Sequence, residues 1–195
     1  MRTPTHFAGR VLGCCLLAAS FTFASAQGAA PAKPAVGTPA APSQVYGKLL
    51  GLLEKQFVDA AEAMPEDKFD FSPPTTAGEF KGVRTFSAEV KHVAEANYYF
   101  FGGATFTEAD MKTKSDAIDK LKTKAEVVQA LKDSFTQAQT FIDGITPENA
   151  FITTEHGTRA GMAAFGIAHF MDHYGQMVEY LRMNGIVPPA SRGSM

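Results

Sequence analysis

The sequence predicts an all-α fold, a four-helix bundle, on three observations. Four stretches place apolar residues three and four positions apart, the period of an amphipathic helix. Each stretch runs into glycine or proline, which stop helices. No segment shows the strict apolar–polar alternation of a half-buried strand.

The first stretch starts at Ser43, a suitable N-cap, and aligns Val45, Leu49, Leu52, Leu53, Phe57, Ala60 and Met64 as one stripe before Pro65. The connection that follows, "EDKFDFSPPTTAGEFKG", carries Pro73-Pro74 and predicts irregular backbone. The second helix covers Arg84 to Phe101, with Phe86, Val90, Val93, Asn97 and Phe101 on one face and Gly102-Gly103 behind it. Ala104 to Lys122 is polar and predicts one short helical turn from Ser115. Thr123 and Glu126 form a Thr-x-x-Glu capping box that opens the third helix. Its stripe is Val128, Leu131, Phe135, Ala138 and Ile142, and Gly144 and Pro147 mark its end. The fourth helix runs from Thr158 to Asn184, with Gly185 as the residue after its cap and Pro188-Pro189 beyond.

Residues 1–26 read as a secretory signal peptide. Arg2 and Arg10 precede a short apolar run, and Ala24-Ser25-Ala26 supplies a small-x-small cleavage pattern. Residues 27–42, "QGAAPAKPAVGTPAAP", lack the apolar side chains that offset ordering entropy and read as a flexible linker. The bundle is expected over 43–191, with 192–195 as a tail. The chain is then exported, periplasmic or secreted. Both cysteines, Cys14 and Cys15, fall within the leader, so the mature chain would have no disulfide, no thiolate metal site and no cysteine nucleophile. Cleavage would leave 16 basic and 20 acidic residues, a formal charge of −4. With no basic patch, nucleic acid is not expected as a partner. No second apolar run reaches about 18 residues, so no membrane span is expected after cleavage.

The chemistry is concentrated in histidine. Beyond the leader the chain has His92, His156, His169 and His173. His169 and His173 are i and i+4, on one helix face, one turn apart. Met162, Phe165, Gln176, Met177 and Tyr180 continue that face, which predicts that it points inward. Two readings fit. The pair packs in the core, bonded to backbone or amide neighbours. Alternatively it forms half of a metal site, since two imidazoles one turn apart can reach one ion at about 2.0–2.1 Å. A third ligand must come from another helix, and His92, at the flank of the second helix's buried face, is the candidate. His156, beside Gly157 at the start of the last helix and about three turns from His169, fits a loop role better. A zincin motif is absent because Phe170 stands where its Glu is needed. A ferritin-like di-iron site needs two Glu-x-x-His motifs; Glu89-Val-Lys-His92 supplies one, but Gly166 replaces the second Glu. Glu89 is read either as an acceptor orienting His92 or as a surface carboxylate. Asp172, at i−1 from His173, is expected to face solvent or to support a ligand from behind. Tyr174 and Gln176 either bind substrate or pack, and Arg182 suits the helix C-terminus.

One histidine on the second helix and His-x-x-x-His on the last resemble the DinB family (DinB/YfiT-like metalloenzymes). The tail "HFMDHYGQMVEYLRMNGIVPPAS" is similar to that family's C-terminal signature, and "MPEDKFDFSPP" and "KAEVVQALKDSF" resemble its first connection and third helix. The resemblance covers Val45 to Ser191. It implies an up-down-down-up bundle with a divalent metal held by His92, His169 and His173. Zinc or nickel come first for such a site, with iron and manganese also occurring, and many members are homodimers. Known activities in related branches are metal-assisted reactions of low-molecular-weight thiols. Those thiols are cytoplasmic, whereas this chain reads as exported.

Three neutral imidazoles would leave a position open on the ion, the pattern of a catalytic rather than a closed structural site. The expected function is therefore a metal-dependent hydrolase or transferase acting on a small molecule that the sequence does not name. The alternative is a non-catalytic, metal-stabilised bundle serving as a binding or structural module. No general base is evident beside the histidine pair, so the catalytic residues stay unknown at this level.

Overall fold

The computed structural model describes residues 1, 33–103 and 106–193. The signal-peptide reading, much of the linker and the end of the tail lie outside the described residues. The chain divides into two units, Met1–Thr38 and Pro39–Met195, and every helix belongs to the second. These are α1 (Pro42–Ala63), α2 (Phe86–Phe101), α3 (Glu108–Asp119), α4 (Lys124–Asp143) and α5 (Arg159–Met183). A two-residue antiparallel pair, β1 (Thr153–Thr154) and β2 (Gly157–Thr158), leads into α5.

The bundle is all-α, and side-chain contacts fix its directions. Lys124 at the start of α4 donates through Nζ to the carbonyls of Glu62 and Met64 at the end of α1, so α1 and α4 are antiparallel. Asn97 bonds Ser134, and Phe101 packs on Phe141, so α2 and α4 run together. Glu89 meets His173 while Phe100 meets Phe165, which makes α2 and α5 antiparallel. The order is up, down, down, up for α1, α2, α4 and α5. Burying the four apolar stripes drives the assembly. At its centre Phe57, Phe135 and Phe170 form a triangle with centroids 5.5–6.2 Å apart, joining α1, α4 and α5.

Helix starts follow local chemistry. Thr85, Thr123 and Thr158 cap α2, α4 and α5 through their hydroxyls. The first helix begins at Pro42 rather than after a Ser43 cap, because proline at the first helical position needs no N–H partner. Gly185, with φ of 74°, closes α5; its N–H bonds the Arg182 carbonyl and that of Ile186 bonds Leu181.

Three expectations need correction. The polar stretch after Gly103 holds a full helix, α3, not one turn from Ser115. Thr107 and Asp110 cap it reciprocally, at 3.2 Å and 2.9 Å. Only Ile118 of its twelve residues is buried, so no stripe announces it. On α1 the core face is Leu50, Leu53, Phe57, Ala60, Ala61 and Met64, and Val45, Leu49 and Leu52 are exposed. The helix is apolar over a wide arc, and α4 and α5 select which part is covered. On α5, Met177 and Tyr180 are buried as expected but Phe165 is 59% exposed; Ala163, Gly166 and Phe170 take the inward places.

Gly166 has a steric reason. A Cβ there would lie 2.5 Å from Cζ of Phe101, a fully buried ring flanked by Phe141 and Phe170. At Gly175, on the same helix, a Cβ would meet nothing within 4 Å. Overpacking costs about 1–3 kcal/mol, and Gly→Ala in a helix gains about 1 kcal/mol. Gly166→Ala is expected to destabilise the protein by about 1 kcal/mol, overpacking less the propensity gain, and Gly175→Ala to stabilise it, opposite signs that a pair of urea titrations would read.

Candidate metal centre

Three helical turns converge on one point. His169 and His173 project from α5, and His92 projects from α2 opposite them. The Nε2 of His169 lies 3.1 Å from that of His173 and 3.3 Å from that of His92. One ligand atom from each of the three falls within 4.8 Å of the other two. His173 is buried; His92 and His169 are half-buried and face a cleft.

The residue behind His173 decides the chemistry. Glu89 is 1% exposed, and its Oε2 accepts a hydrogen bond from His173 Nδ1 at 2.7 Å. A carboxylate only accepts, so the ring proton sits on Nδ1 and the Nε2 lone pair points at the other two imidazoles. Arg84 flanks the far oxygen, with Nη1 3.8 Å from Glu89 Oε1. Glu89 therefore orients His173, not His92, and it is not a surface carboxylate. The sequence suggested His92 because Glu89 precedes it by three residues on the same helix. The true partner lies across the α2–α5 seam, 84 positions away.

The donor set fits a divalent ion. Nitrogens held at about 2.0–2.1 Å by one tetrahedral ion lie roughly 3.3–3.4 Å apart, close to the two separations here. Ligation needs neutral imidazoles. Burial, with Arg84 and the neighbouring histidines, pushes His92 down to about 4, and burial and His173 push His169 down as well. Without an ion, three Nε2 atoms meet with too few protons to pair them, and His169 Nδ1 is buried with no partner. No carboxylate joins the three histidines as a ligand among the described residues. The di-iron alternative is closed sterically, since the Phe101 ring fills the space a Glu at position 166 would need.

Other candidates fall elsewhere. His156 sits in the turn between β1 and β2, exposed, on the lining of the cleft but outside the cluster. Asp172 is exposed and accepts from Gln176 at 3.1 Å. Tyr174 packs on Phe57, and Arg182 reaches the Ser191 hydroxyl at 3.4 Å.

The cleft beside the histidines has a volume of about 1200 Å³ and runs between α2, α3, the β1–β2 turn and α5. Glu95, one turn beyond His92 on α2, lines it. Its Oε1 is buried without a partner, and burial together with Asp119 of α3 raises its pKa to about 7. Sequence reading missed Glu95 because its significance depends on α3, which was itself not foreseen. A carboxyl one turn from a candidate histidine was the available signal.

A helical bundle of this order, with one histidine from α2 and a His-x-x-x-His pair from α5, defines a bundle protein with a candidate three-histidine metal centre. The DinB superfamily model matches residues 50–177, and the chain belongs to that superfamily. No curated protein matches the chain.

Two outcomes test this geometry. Glu89→Gln is expected to weaken zinc or nickel affinity about 10–100-fold, as loss of an orienting carboxylate does; competition with a chromogenic chelator measures it. In metal-free protein, His92 and His169 bind protons less readily folded than unfolded. Their contribution to stability is therefore full above the unfolded value near 6.5 and is lost as pH falls toward about 4. Urea midpoints between pH 7 and 4 should fall, and His92→Gln should flatten that fall.

Proposed function

We infer that this protein is a divalent-metal-dependent hydrolase or transferase for a small organic substrate. One observation carries the reading: two of the three converging histidines, His92 and His169, line an open cleft, so the point where the Nε2 atoms meet is reached from it rather than sealed in the core. A metal that only pinned helices together would be expected in a closed site. His92, His169 and His173 would hold the ion, with zinc or nickel best suited to three imidazoles and iron or manganese compatible. Such an ion supplies Lewis acidity, polarising an oxygen of the substrate and acidifying an attacking water.

The chain's own residues do the rest. Glu89 keeps the proton of His173 on Nδ1. Arg84 balances the buried carboxylate. Glu95 carries a carboxyl poised near neutral pH on the lining of the cleft, suited to take a proton and return it. We also propose an exported protein, on the leader-like residues 1–26, and a homodimer, as the family resemblance implies. Among the described residues no helix is long and apolar enough to cross a membrane.

Metal per chain, measured by plasma mass spectrometry on untagged protein, should be about one divalent ion, lost in His92→Ala and His169→Ala. Hydrolysis of nitrophenyl esters should stop on chelation. Glu95→Gln should keep the ion but lower kcat about 100-fold, the low end for loss of a general acid–base. Background metal that neither zinc nor nickel restores would overturn the reading.

A further inference from the structure

The cleft is chemically one-sided. Tyr99 and Phe165 stand 66% and 59% exposed on adjacent helices. They are not scattered surface residues. Phe165 packs edge-on against Phe100 at 5.2 Å, Tyr99 against Phe100 at 5.4 Å, and Phe100 against His169 at 5.1 Å. An aromatic wall therefore runs unbroken from solvent to an imidazole of the metal centre. Contiguous apolar surface left in water marks a binding site rather than a packing accident.

The wall has a length and two ends. On α5 the cleft is lined by Arg159, Met162, Phe165 and His169. At 1.5 Å per residue, the ten steps from Arg159 to His169 span about 15 Å. Between the terminal Arg159 and His169 both α5 lining residues are apolar, and Phe106 and Met111 face the same cleft from the α3 side. Of the cationic side chains there, Lys112 is paired with Asp116 at 2.8 Å, and Arg159 lies over the Phe141 ring. Thr107, Glu108, Ser115, Thr154 and Glu155 line the opposite side, but along the Phe100–Phe165 wall a hydroxyl would lie against rings and stay unpaired, which costs binding.

The geometry points to an amphipathic ligand: a metal-binding head at His92 and His169, and an extended aromatic or acyl body lying along the Phe100–Phe165 wall toward Arg159. This rests on the metal reading above and adds the substrate class to it. It sets the cleft apart from sites for small polar thiols. Tyr99 and Phe165 are the specificity-determining residues, since they form the body's contact surface and contribute little to the core.

Hydroxamates test it, because the head is constant and the tail varies. Zinc-loaded protein is titrated calorimetrically with acetohydroxamate, hexanohydroxamate and octanohydroxamate. Each buried methylene is worth roughly fourfold, so affinity should rise by about 100-fold or more from the first to the last. Phe165→Ser with Tyr99→Ser should remove most of that rise while leaving zinc content and acetohydroxamate affinity unchanged. Met171→Ser, at an exposed position of α5 outside the cleft, should leave the rise intact. An affinity that does not depend on the tail, or a rise that survives the double variant, overturns the proposal and leaves the metalloenzyme reading standing. Retained zinc with no binding of even acetohydroxamate overturns both, since the ion then has no accessible position.

Discussion

The site depends on one buried hydrogen bond, from His173 Nδ1 to Glu89 Oε2 at 2.7 Å. Burying a carboxylate is costly unless its oxygens are paired. Here one oxygen accepts from the imidazole and the other lies 3.8 Å from Arg84. The bond spans α2 and α5, so it fixes the register of the two helices that carry all three histidines. It also sets the tautomer of His173. A slip of one residue along either helix would break the pair and scatter the Nε2 atoms.

Around that bond the molecule separates stability from recognition. The Phe57–Phe135–Phe170 triangle and the buried faces of α1, α2 and α4 make a core that meets the cleft at Ala96 and Phe100. Beyond those two residues the cleft wall includes the exposed Tyr99 and Phe165 and part of α3, which buries a single residue. What secures α3 is polar: Lys91 Nζ donates to the carbonyls of Asp119 and Leu121 at 3.0 Å and 2.7 Å, at the helix's end. An element with so little apolar burial belongs to the low-stability end of a fold, where ligand-binding segments are commonly drawn.

What could be read from the sequence follows the same division. The stripe of α4 was legible because that helix is buried on one narrow face, and although α2 buries eleven of its sixteen residues, Val90 and Val93 lie where periodicity puts them, as Leu131 and Phe135 do on α4. The site histidines were legible because i and i+4 on one helix permit few geometries, and His92 was the remaining histidine in mid-helix. Periodicity was less decisive on α1, where Leu49 and Leu50 both continue an apolar row and only contact with α4 and α5 separates them. Helix α3 is polar all round, so only its Thr107–Asp110 box could have marked it. Glu89 was seen but given the wrong histidine. Spacing along one chain can say which residues share a face, but not which residue across a seam comes within 2.7 Å.

The placement of Glu95 carries the argument one step further. It stands between the metal centre and α3, with its unpaired oxygen buried and Asp119 of α3 raising its pKa. Two carboxylates facing one another across a helix contact destabilise that contact when both are ionised. A carboxyl whose pKa is raised to about 7 is therefore set against α3, the helix that buries a single residue. Glu89 is the opposite case: a carboxylate fully buried and paired, on the seam between α2 and α5. Two acids about two turns apart on α2 thus sit in opposite surroundings. One is paired with His173 and flanked by Arg84, and the other keeps an oxygen buried without a partner.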